Sequence, residues 1–95
     1  MRIVISKNAS EAKTFGKFIR LLRLDNNICA RDLAKWILNA GGRDSRDMYD
    51  VDAITQRIYR WENRGVNPQP WALYSLAIIL DVDLEYFKRF FKFPY

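Results

Sequence analysis

Between Ile54 and Arg64 the chain reads Ile-Thr-Gln-Arg-Ile-Tyr-Arg-Trp-Glu-Asn-Arg. At about 100° per residue, Ile54, Ile58 and Trp61 fall on one side of a helix. Gln56, Tyr59, Arg60 and Asn63 fall on the other, flanked by Thr55 and Arg57. One side anchors the helix, and the other offers amide, guanidinium, hydroxyl and phenol groups. Such groups suit DNA: in the major groove Arg bonds bidentately to guanine and Gln to adenine. A spacing of three or four residues aims them into one groove while the apolar side rests on a core.

Catalytic and metal chemistry have less to work with. The chain has no histidine, the commonest general base and the commonest metal ligand. Its single cysteine, Cys29, has no partner for an internal disulfide. Zinc-finger, His-based and disulfide-scaffold proteins are thereby excluded. Asp44, Asp47, Asp50 and Asp52 lack the alternation, glycine and terminal glutamate of a calcium loop, and read as solvated loop. There is no nucleophile with a base, no carboxylate pair, and no phosphate-cradling loop around Gly41-Gly42. These features point to a binding protein rather than an enzyme, needing no metal or cofactor.

The 95 residues suit one domain spanning 1–95, and the 49% apolar content suffices for a core. The net charge of +5 is unevenly spread: residues 1–39 carry +5, residues 40–52 carry −2, and the rest +2. No targeting segment is visible and no run approaches the roughly 20 apolar residues of a membrane span, so the expected compartment is the cytoplasm.

Helical periodicity dominates, and the expected fold is all-α with five helices. Ser10 is the expected N-cap of a first helix, with Phe15, Phe18, Ile19 and Leu22 inward. Lys13, Lys17, Arg20 and Arg23 form its basic outer stripe, and Asp25-Asn26-Asn27 ends it. A second helix runs from Ala30 to about Leu38, with Leu33, Ala34 and Ile37 inward, and stops at Gly41-Gly42. The third starts near Asp52 as N-cap and ends at Arg64-Gly65. Pro70 opens a fourth with Leu73, Leu76, Ala77 and Leu80 inward, and Asp83 caps a fifth. The three tryptophans, Trp36, Trp61 and Trp71, read as core or near-core, and Glu62 as structural. A short apolar segment precedes this core of about residues 10–88.

Ile58-Tyr-Arg-Trp-Glu-Asn63, Asn67-Pro68, Leu73-Tyr-Ser-Leu-Ala77 and Leu80-Asp-Val-Asp-Leu84 follow one another in order. They resemble the Cro/CI-type (xenobiotic-response-element) helix-turn-helix family, and Phe18-Ile-Arg-Leu-Leu-Arg23 and Ala30-Arg-Asp-Leu-Ala34 are similar to its first two helices. The resemblance covers roughly residues 14–87. It implies a repressor-like domain whose recognition helix, about residues 53–64, reads double-stranded DNA. Thr55, Gln56, Arg57, Tyr59 and Arg60 then take base or phosphate positions, and Asn63, Arg64 and Asn67 match a loop that often touches phosphate. Lys13, Lys17, Arg31 and Arg43 are candidate phosphate contacts, weighed against an ordinary solvated face.

The chain departs from that pattern in four places. Residues 39–52 form an insertion between the two motif helices, where about 3–4 residues are usual. Cys29-Ala30 stands where the family often has Ser or Thr followed by Gln; Gly65 falls one residue late; Gln69 replaces a Ser cap. The tail supplies Tyr86, Phe87, Phe90, Phe91, Phe93 and Tyr95, six of the fourteen aromatics. It reads as a homodimer surface, the alternative being a tail packed on its own helices. The expected function is a sequence-specific DNA-binding transcriptional repressor acting as a dimer. The alternative is an antitoxin-like adaptor on the same fold, contacting a protein through residues 39–52 or the tail.

Overall fold

The computed structural model describes residues 3–40 and 50–91, and among these the fold is all-α, with no strand. The α-helices are α1 (Lys7–Ser10), α2 (Phe15–Asp25), α3 (Ala30–Ala40), α4 (Val51–Arg64) and α5 (Pro70–Leu80). A 3₁₀ helix over Leu84–Phe90 follows. Among the described residues, no helix is long and apolar enough to cross a membrane.

Ser10 does not start the long first helix. It ends the separate turn α1, where its hydroxyl donates to the Lys7 carbonyl oxygen at 2.9 Å. The N-cap of α2 is Thr14, whose hydroxyl accepts from the Lys17 amide at 3.2 Å. At the other end Asn27 takes a left-handed backbone (φ 55), with Ile28 N–H bonded to the Arg23 carbonyl oxygen at 2.9 Å. This is a Schellman stop built on Asn rather than Gly. Asn26 also ties down the apolar N-terminal segment, accepting from the Val4 amide at 2.9 Å and donating to the Val4 carbonyl oxygen at 2.7 Å. Ala9 is fully buried and Ile3, Ile5, Phe90 and Phe91 pack on the core, which therefore extends beyond the expected 10–88 at both ends.

Helix α3 reaches Ala40, and α4 begins two residues earlier than expected. Asp50, not Asp52, is the N-cap of α4, its carboxylate accepting from the Ala53 amide at 2.7 Å. The two ends of the expected insertion 39–52 are thus helical, and residues 41–49, with Arg43, Asp44 and Asp47, lie outside the described residues. Helix α4 stops where expected, at Gly65 with φ 66. Pro70 opens α5 as expected. The last expected helix is 3₁₀ rather than α, and Asp83 at its start makes no side-chain cap bond.

The core lies where α3 packs on α4 and α5 and where α2 packs on α4. Gly16 explains how closely α2 approaches α4. A Cβ on Gly16 would stand 2.1 Å from the Trp61 carbonyl oxygen, so only glycine fits. Gly16 is the second residue of α2, in the first turn after the Thr14 cap.

The aromatic tail folds back onto α2. Phe87 is fully buried, with its ring centroid 6.0 Å from Phe15 and 6.3 Å from Phe18. Phe90 lies 5.5 Å from Phe18, Phe91 lies 5.4 Å from Phe15, and Tyr86 lies 5.7 Å from Phe18. The Arg89 guanidinium stacks over Phe90 at 4.4 Å and Tyr86 at 5.1 Å, and it donates to the Ser10 carbonyl oxygen. The expected dimer surface is therefore corrected for Tyr86, Phe87, Phe90 and Phe91: Phe15 and Phe18 supply apolar partners within the same chain. Phe93 and Tyr95 lie outside the described residues.

Candidate nucleic-acid interface

Helix α4 divides as its periodicity requires. Ile54 and Ile58 are fully buried and Trp61 nearly so, while Gln56, Tyr59, Arg60, Asn63 and Arg64 are exposed. Those five exposed side chains line one shallow concavity of about 350 Å³. Their spacing of three and four residues keeps them in one row along the helix. The row holds two guanidiniums, two amides and a phenol, and Tyr59 is 45% exposed with its ring available for stacking.

The other expected contacts are placed less uniformly. Thr55 is half-buried and its hydroxyl donates to the Val51 carbonyl oxygen at 2.7 Å, so its proton serves its own helix. Arg57 is half-buried on the flank. Asn67 is exposed but borders a different concavity, with Thr14, Gly16 and Gly65. Lys13, just before α2, and Lys17, on α2, are exposed and border a third concavity with Asn8 and Glu11. Arg31, on α3, is exposed and forms a salt bridge with Asp52 on α4, so a phosphate would compete with that carboxylate. At the start of α3 the Cys29 sulfur accepts weakly from the Asp32 amide at 3.4 Å, and Cys29 is exposed.

Arg23 is a correction to the basic stripe. It is withdrawn from solvent, with its side chain 12% exposed and that of its partner Glu62 only 3%. Arg23 Nε donates to Glu62 Oε2 at 2.7 Å and Nη2 to Oε1 at 2.8 Å, while Nη1 donates to the Ile28 carbonyl oxygen at 3.2 Å. Bidentate, charge-assisted bonds of this kind are stronger than neutral ones and fix relative orientation. The hydrogen bonds to Glu62 raise the Arg23 pKa above its ordinary value, outweighing the lowering by burial. The guanidinium therefore keeps its charge across the physiological pH range.

Glu62 is thus structural, as expected, but not alone. The pair joins α2 to α4 and holds the polar row of α4 at a set angle to α2. The sequence carries a signal for it: Arg23 lies seven residues, about two helical turns, from Gly16. It therefore shares the side that meets α4 rather than that of Lys17. Among the described residues no group of three or more His, Cys, Asp or Glu is arranged to hold a metal ion.

Fold and face together define an all-α domain with one helix presenting a polar, cation-bearing row. Comparison of this chain with family models, with curated proteins and with solved structures gives no match.

Proposed function

We propose that this protein binds double-stranded DNA sequence-specifically, with α4 in the major groove, and acts in the cytoplasm as a transcriptional repressor. The observation that carries this reading is the single exposed row Gln56, Tyr59, Arg60, Asn63 and Arg64 on a helix whose opposite side is locked into the core. Gln56 and Arg60 are suited to base edges, and Arg64, in the last turn, to phosphate. Lys13, Lys17 and Arg31 add sequence-independent attraction. No reacting group is required; the activity is occupancy of a site. The resemblance of the Trp61-Glu62-Asn63 region and its flanks to Cro/CI-type proteins agrees with this assignment.

Selection from random duplex DNA tests it. Enrichment of one motif, lost when Gln56 and Arg60 are both changed to Ala, is the expected result. Failure to enrich any motif, with the protein folded, would favour the protein-interaction alternative instead.

A further inference from the structure

Asp52 stands one turn ahead of the exposed row of α4 and continues it. At about 100° per residue it lies within about 40° of Gln56, Tyr59 and Asn63 around the helix. Its side chain is 77% exposed. Capping does not use this carboxylate, because Asp50 already accepts from the Ala53 amide at 2.7 Å. Arg31 of α3 meets it instead, Nη1 donating to Asp52 Oδ1. That ion pair is open to solvent, with the Arg31 side chain 57% exposed, and pairs of this kind add little to stability. The helix dipole also favours an acid in the first turn. That effect is indifferent to the face on which the acid sits, whereas Asp52 sits on the face of the row.

We infer that Asp52 is a specificity-determining residue of α4, its carboxylate accepting a hydrogen bond from the N4 amino group of a cytosine. This rests on the reading of α4 as the helix in the major groove. A recognition helix meets base edges with its N-terminal residues, and Asp52 lies in the first turn of α4. An ionised carboxylate accepts hydrogen bonds and donates none. In the major groove only cytosine and adenine present an amino group, while guanine and thymine present acceptors that a carboxylate repels. Adenine sets its N7 acceptor beside the amino group and cytosine does not, so cytosine is the base that fits.

Arg31 makes an acid tolerable at this point. Phosphates oppose a nearby carboxylate, and the guanidinium offsets that repulsion across the seam between α3 and α4. A carboxylate accepts several hydrogen bonds, so the pair with Arg31 leaves Asp52 able to accept from a base as well. Arg31 is thus a positioning residue, and Asp52 is the reader.

Selection from random duplex DNA, run in parallel for the wild type, Asp52→Ala and Arg31→Ala, tests this assignment. The wild-type motif should hold a C·G pair whose replacement by T·A weakens binding about tenfold. Asp52→Ala should lose the preference at that position alone, and should bind random duplex at least as tightly as the wild type. Arg31→Ala should weaken binding to every duplex while the cytosine remains preferred. Asp50 keeps the cap in both variants, so their circular dichroism should stay native. An Asp52→Ala protein that selects the wild-type motif unchanged overturns the assignment and leaves the DNA reading standing. So does a uniform loss of affinity for all sequences, which marks a structural role. A wild-type chain that selects no motif overturns both, because Asp52 then has no base to read.

Discussion

Helices α4 and α5 both bury one face in the same core, and they differ in what they leave outside. Helix α4 exposes Gln56, Arg60, Asn63 and Arg64, side chains that water solvates well and that a polar ligand can recruit. Helix α5 exposes Tyr74 and Ile78, which water solvates poorly. Exposure alone therefore says little about partners; the chemistry of the exposed row decides. Cations and amides in helical register suit the edges and phosphates of a duplex. An uncharged face suits another apolar surface.

The mounting of the two helices differs as well, and perturbing it should produce the largest effects. Replacing Gly16 by Ala sets a methyl group against the Trp61 backbone, where neither side can yield as a flexible side chain would. The expected loss is about 3 kcal/mol or more, at the upper end of overpacking costs, measured by urea denaturation. Glu62→Ala leaves Arg23 without its partner at the same seam, and should cost about 3 kcal/mol. A thermal melt within a degree or two of wild type would contradict the role given to this pair.

Changes on the outer row of α4 should separate binding from stability. Arg60→Ala is expected to weaken DNA binding by about 1–3 kcal/mol while leaving unfolding free energy within about 0.5 kcal/mol. Titrations with labelled duplex alongside denaturation check both halves. The smallest effect is expected on α5: Tyr74→Lys should shift stability by less than about 0.5 kcal/mol, because its side chain is largely outside the core. A large destabilisation there would mean that α5 is not the free face described.

Much of this arrangement is legible in the chain itself, and the exceptions share a physical cause. The stop of α4 at Gly65 and the opening of α5 at Pro70 depend on local chemistry, and the structure agrees with each, whereas α4 starts at Asp50 rather than Asp52. The polar row of α4 follows from periodicity alone. Three expectations failed where tertiary contact outweighed local preference. Ser10 is an acceptable cap, but the chain uses Thr14, which puts Gly16 in the first turn of α2, against the Trp61 backbone. Arg23 resembles its basic neighbours until α4 supplies Glu62, thirty-nine residues away in sequence. The tail aromatics resemble an exposed patch because nothing in residues 86–91 reveals that Phe15 and Phe18 will meet them.

The central claim is that the outer row of α4 contacts DNA through charge and base edges together. Its most direct test is the salt dependence of binding to a selected duplex, compared between wild type and the Arg60→Ala, Arg64→Ala double variant. Each phosphate contact contributes a slope of about −0.9 in log K against log salt. A steep wild-type slope that becomes shallower in the variant, with affinity lost, is the expected result. A flat wild-type response, or a variant that binds as tightly with the same slope, would contradict it.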